Sequence, residues 1–143
     1  MAALARNTPR QFRGSEGVIK SYPVNGGSRI YAGAIVMIDS DGYARPAAAL
    51  ASNKGCVGIA MEEANNTSGS DGTISVRVQS GLVLLTATSI AQANILAKVY
   101  ASTDNDVDET QGANEPLVGV LEEFVSSTSG WVRIGPGQVT AGL

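Results

Sequence analysis

Apolar positions along the chain recur in short alternating runs, separated by clusters of Gly, Asn, Asp and Ser. That is the pattern of β-strands joined by turns. The cleanest alternation spans residues 73–79, with Ile74, Val76 and Val78 on one face and Ser75, Arg77 and Gln79 on the other. Gln79-Ser80-Gly81 then reads as a turn into residues 82–87, the strongest hairpin signal in the sequence. Further strands are predicted over 18–24 (with Pro23 marking an edge or end), 30–38 (interrupted at Gly33), 43–46, 56–62, 97–101, 117–125 and 131–134. Asn25-Gly26-Gly27 and Asp39-Ser40-Asp41-Gly42 are turns whose glycines accept positive φ. Helix signals are weak: an Ala-rich stretch over 46–53 that suits one or two turns, and a short segment over 90–94 capped by Ser89. Residues 65–72 and 103–114 read as polar loops, and Gly135-Pro136-Gly137 ends the ordered pattern. Residues 1–16 carry neither period, so they are read as an extended arm without a core of its own.

The second half of this pattern repeats the first. Val57-Gly58-Ile59 followed by Glu62-Glu63 recurs as Val118-Gly119-Val120 followed by Glu122-Glu123. Val76-Arg77-Val78 ending in Gly81 recurs as Val132-Arg133-Ile134 ending in Gly137, and residues 34–43 align with 97–106, placing Val36 over Val99. The offsets of 63, 61 and 56 residues shrink along the chain, as loops of different length between two related β-units would produce. The expected fold is all-β: a small sandwich or barrel of about eight to ten short strands with at most short helical turns. The expected division is an extended basic arm over 1–16, a single β domain over 17–137 with the repeat at about 32–81 and 95–137, and a tail over 138–143. Arg77 and Arg133 hold matching strand positions and are expected to point away from the core.

Composition narrows the chemistry. The 143 residues contain no histidine and one cysteine, which removes the commonest general base, the usual zinc sets and any intramolecular disulfide. Cys56 lies in an apolar run and reads as a buried small hydrophobe. Aromatic residues are 5% of the chain, so the core must be built from Val, Ile, Leu and Ala. Residues 1–30 carry five basic residues against Glu16 alone, a net charge of +4, while residues 31–143 carry five basic and twelve acidic residues, a net of −7. A basic arm thus precedes an acidic body. The four arginines and one lysine of residues 1–30 suit docking on an acidic protein surface better than nucleic acid, because the same stretch offers only Phe12 and Tyr22 for stacking.

Each apparent site has an ordinary reading. Asp104-Asn105-Asp106-Val107-Asp108 with Glu115 follows the ligand order of a calcium loop, but Glu109 stands where the bend needs glycine and strands flank it, so a solvated acidic loop is expected. Adjacent glutamates on a strand face opposite sides, so Glu62-Glu63 and Glu122-Glu123 are not acid–base pairs; they read as strand-end charge that blunts edge pairing. Asp39 and Asp41 belong to a turn. The sequons in Asn65-Asn66-Thr67-Ser68 read as turn chemistry, and no catalytic serine motif or phosphate loop is present. No enzyme, cofactor or metal is expected, no run approaches a membrane span, and the N-terminus lacks a secretory core, so cytoplasmic synthesis is expected.

The blocks Tyr31-Ala32-Gly33-Ala34-Ile35-Val36, Asp39-Ser40-Asp41-Gly42-Tyr43-Ala44-Arg45-Pro46-Ala47, Cys56-Val57-Gly58-Ile59-Ala60 and Gly72-Thr73-Ile74-Ser75-Val76-Arg77-Val78 resemble those of the capsid cement, or head decoration, proteins of tailed bacteriophages. Leu117-Val118-Gly119-Val120 and Trp131-Val132-Arg133-Ile134 are similar to the closing hairpin of that family, and the resemblance spans about residues 16–137. It implies a non-catalytic protein on the outer surface of the virion capsid that clamps neighbouring major capsid proteins as a homo-oligomer, dimer or trimer. On that reading Arg6, Arg10, Phe12 and Arg13 are the candidate capsid contacts, the arm orders only on the shell, and Trp131 anchors the core or an interface. The alternative is a β-barrel tail or adhesion module that binds carbohydrate or another virion protein.

Overall fold

The computed structural model describes residues 2–14 and 17–140; the expected arm's residues 1, 15 and 16 and the last three residues of the tail lie outside them. Thirteen strands are present among these: β1 (Phe12–Arg13), β2 (Ile19–Pro23), β3 (Arg29–Ile30), β4 (Ile35–Ile38), β5 (Ala44–Pro46), β6 (Cys56–Ala60), β7 (Ala64–Asn65), β8 (Ser75–Gln79), β9 (Gly81–Ala87), β10 (Lys98–Tyr100), β11 (Asp106–Val107), β12 (Leu117–Ser126) and β13 (Ser129–Ile134). A single 3₁₀ turn, Gln92–Asn94, and a short helix α1, Pro136–Thr140, complete the described elements. The protein is an all-β sandwich. One sheet has the order β2-β8-β6-β4-β5, the other β1-β9-β13-β12-β10 with β11 parallel to β9, and β3 and β7 form a separate ribbon.

The two sheets contain the same four-stranded unit. In the first, β2 lies beside β8, followed by β6 and β4; in the second, β9 lies beside β13, followed by β12 and β10, and every one of these pairs is antiparallel. Each unit is a Greek key in which the first strand returns to lie beside the fourth. Register agrees residue by residue: Ile35, Val36 and Met37 face Ile59, Gly58 and Cys56, and Lys98, Val99 and Tyr100 face Val120, Gly119 and Leu117. Both pairs carry a β-bulge at the same place, between Val36 and Met37 and between Val99 and Tyr100.

Equivalent side chains fill two hydrophobic clusters. Val36, Ala60, Val76 and Val78 pack under the β3–β7 ribbon with Ile30 and Ala64. Their counterparts Val99, Leu121, Val132 and Ile134 form the larger cluster, joined from the opposite face of the first sheet by Ile35, Met37, Cys56 and Ile59. Strands β4 and β6 at the centre of the first sheet are therefore buried on both faces, which is why residues 35–37 read as an unbroken apolar run. Full burial of each such Val or Ile contributes about 1.5–3 kcal/mol.

Several local expectations are corrected. β8 and β9 do not form a hairpin: β8 pairs with β2 and β6, β9 with β1, β11 and β13, and the chain passes at Ser80 from one sheet into the other. Residues 46–53 contain no helix, because Pro46 ends β5 and Ala47 N bonds back to Ile35 O. The predicted 103–114 loop contains β11, and α1 starts at Pro136, where the ordered pattern is expected to end, and runs into the predicted tail; Pro136 has the fixed φ that a helix start accepts. Ser89 does not cap the 3₁₀ turn; Asn94 Oδ1 does, accepting Ala91 N–H at 2.7 Å.

Candidate functional site

The arm is where the two units are joined. Described residues of the arm lie along its own body rather than awaiting a partner, which corrects the expectation of a segment that orders only on a shell. Leu4 N–H donates to Asp104 Oδ1 at 2.8 Å, and Thr8 N–H donates to Ala32 O at 2.6 Å. Asn7 accepts Ala32 N–H and donates to Glu63, and β1 pairs with the edge of β9, Phe12 opposite Val83 and Arg13 opposite Leu82. The acidic partner suited to a basic arm is this chain's own 104–106 loop. The crossing is close at Gly33, which sits at φ +89° beneath Thr8; a β-carbon there would overlap the Thr8 carbonyl.

Arg10 clasps both units with one guanidinium. Its Nε donates to Gly33 O at 2.8 Å in the first unit; Nη2 donates to Asn105 O at 3.0 Å and Oδ1 at 3.2 Å, and Nη1 to Thr86 Oγ1 at 3.4 Å, in the second. Burial draws its pKa below the ordinary arginine value, opposed by the charges of Asp104 and Asp106. Phe12 packs against the larger core cluster. Arg13 pairs with Glu123 at 2.8 Å while its guanidinium stacks 4.0 Å from the centre of the Trp131 ring, and Trp131 itself is buried. Of the four candidate capsid contacts, Arg10, Phe12 and Arg13 are thus engaged within the chain, and Arg6 is exposed.

The glutamate doublets are ion-pair partners, not edge guards; Glu122 and Glu123 lie on β12, between β13 and β10. In each doublet the first glutamate takes the repeated arginine, Glu62 with Arg77 and Glu122 with Arg133, both at 2.8 Å. The second takes an arginine from the N-terminal region, Glu63 with Arg29 at 2.6 Å and Glu123 with Arg13. Hydrogen bonds from these arginines hold Glu62, Glu63 and Glu123 below the usual carboxylate range. Pairs as exposed as Arg77–Glu62 and Arg13–Glu123 orient side chains more than they stabilise, whereas Arg133–Glu122 is more shielded.

The remaining acids are engaged locally. Asp106 accepts from Thr88 Oγ1 and, at 2.9 Å, Thr103 Oγ1; Asp108 accepts Thr110 N–H, and Glu115 accepts Gly112 N–H at 2.8 Å. Among the described residues no three His, Cys, Asp or Glu side chains converge as metal ligands. Burial pushes the Asp104 carboxyl up, against the opposing pull of the Leu4 amide and Arg10. Burial would raise Asp39 too, but the amides of Tyr43 and Asp41 and the Arg45 guanidinium outweigh it and hold it low. Asn66, within the sequon pair, is buried and donates to Val24 O, Asn25 O and Ser70 O, so it fixes a turn. Cys56 is buried, and desolvation pushes its thiol far up. No helix is long and apolar enough to cross a membrane among the described residues.

The fold is similar to that of a chain in the structure titled "The capsid of Myoviridae Phage XM1", with a TM-score of 0.57 and 19% sequence identity, covering 95% of this chain and 92% of that one. No family model matches the sequence, and no curated protein matches it.

Proposed function

We propose that this protein is a structural virion component that binds the outside of a phage capsid and cements neighbouring major capsid proteins, acting in many copies and as a homo-oligomer. The observation that carries the reading is the likeness of fold, over nearly the whole chain, to a chain of a phage capsid. The arrangement of side chains supports a binding role. Arg13, Arg29, Arg45, Arg77 and Arg133 are each paired with a carboxylate, and among the described residues no buried side-chain nitrogen or oxygen lacks a partner. Such a body contributes shape and surface, and repeated attachment compensates for modest contacts per copy. Arg6 is the arm residue free to reach an acidic shell surface, while Arg10, Phe12 and Arg13 fix the arm that presents it.

The test mixes the full-length protein with expanded and unexpanded shells. Saturable binding to expanded shells, a higher temperature of shell disruption and density repeated over the outer surface are the expected results. Density at one vertex, or no binding, would refute the reading and favour a tail module.

A further inference from the structure

Two β-turns occupy equivalent places in the two units. Residues 31–34 close through Ala34 N–H to Tyr31 O at 3.0 Å, and residues 94–97 through Ala97 N–H to Asn94 O at 2.9 Å. Gly33 N–H donates to Ala60 O at 2.8 Å and Leu96 N–H to Leu121 O at 2.7 Å, again at matching positions. Ile95 at φ −55°, ψ 131° followed by Leu96 at φ +67° is a type II turn, whose third residue is suited to glycine. The first unit has glycine there. The second holds a leucine in the left-handed region and leaves it 72% exposed, within a stretch, 87–97, that contains no charged residue. The turn's backbone is tied to β12 by the Leu96 amide, but the exposed leucine side chain adds nothing to the core, and backbone strain of this kind clusters at functional positions.

The matching place on the first unit is concave. Pro9, Phe12, Ala32, Ile59 and Met61, together with the polar Arg10 and Gln79, line a largely apolar cavity of about 170 Å³ beside the 31–34 turn. We propose that Leu96 of one copy seats in this cavity of a second copy. The occupant follows from the pairing of shapes on one chain: the same turn makes a knob in one unit and, with the arm laid across it, a hole in the other. Leu96 cannot receive an arm as Gly33 does, because its side chain fills the path of the crossing strand. Each copy has one knob and one hole, so the contact is saturated only in a closed assembly, a two-fold pair or a ring. The inference deepens the many-copy reading above and rests on it for its purpose, but the contact itself needs no shell.

Sedimentation velocity on the full-length protein, without shells, tests it. The wild-type chain is expected to form one closed species at tens of micromolar. Leu96→Gly should weaken association at least tenfold while raising the melting temperature measured at concentrations where both proteins are monomeric. Met61→Glu, on the hole side, should dissociate the assembly as well. Oxidation of the double variant Leu96→Cys/Met61→Cys should give covalent closed oligomers that neither single variant gives. A monomeric wild type, or an assembly unchanged by Leu96→Gly, overturns the proposal. A monomeric wild type whose shell binding is lost with Leu96→Gly also overturns it, assigning the knob to the shell. Intact self-association without shell binding refutes the capsid reading and leaves the contact between copies standing.

Discussion

Replacing Gly33 by alanine separates the docked arm from the rest of the fold. Gly33 lies at φ +89°, and an added β-carbon would collide with the Thr8 carbonyl. The dihedral alone costs about 1 kcal/mol. Displacing the arm also removes the Thr8–Ala32 and Arg10–Gly33 hydrogen bonds, at about 1 kcal/mol each. The stiffer unfolded chain returns about 0.5 kcal/mol. The net loss of about 2.5 kcal/mol corresponds to a fall in melting temperature of roughly 8 °C for a chain of this size. Gly27 supplies the control: it lies at φ +87° with open space where its β-carbon would go, so Gly27→Ala carries the dihedral cost without touching the arm. Thermal unfolding should therefore rank Gly33→Ala well below Gly27→Ala. Limited trypsinolysis gives the second readout, since the chain after Arg10 should be cut readily in Gly33→Ala and slowly in wild type, where the guanidinium is held by both units. Equal melting temperatures for the two variants, with equal cutting at Arg10, would refute the account of the arm.

The other predictions concern charge and burial. Arg133→Ala should lose about 1–2 kcal/mol in denaturant unfolding, because its bidentate bond to Glu122 is more shielded than the matching pair, whereas Arg77→Ala should leave the midpoint almost unchanged. Asp39 and Asp104 should give opposite pH slopes. The depressed pKa of Asp39 contributes stability above the unfolded carboxylate pKa that disappears as pH falls through the folded value, so wild type should lead Asp39→Asn at neutral pH and converge with it in acid. The raised pKa of Asp104 means that its ionised form is disfavoured by folding and relieved as pH falls, so Asp104→Asn should match or exceed wild type at neutral pH. The Cys56 thiol should react with an aromatic disulfide reagent at the rate of global unfolding; fast labelling of the native protein would contradict its burial.

The β character of the chain was legible in its short alternating runs, and the duplication showed in the matched positions Val36 and Val99, Gly58 and Gly119. What escaped is instructive. A hairpin turn and a passage between sheets use the same residues, so Gln79-Ser80-Gly81 did not reveal that β8 and β9 have different partners. The arm carries no apolar period because it is held by backbone amides and by Arg10, neither of which leaves a pattern. Net charge pointed to an acidic target for it without indicating that Asp104, Asn105 and Asp106 of the same chain provide one. The glutamate doublets were visible as repeats, but assigning each glutamate its arginine required the register of β12 against β13 and the path of the arm.

Strand order within each unit has a consequence for how such a chain could arise and be re-engineered. The first and fourth strands are neighbours, β2 beside β8 and β9 beside β13, so each unit begins and ends at one edge. A tandem copy can then be appended with a single intervening residue, as at Ser80, without rerouting any interior connection. Once joined, the two halves are released from identical duties, and a turn position that must stay glycine in one is free to become leucine in the other.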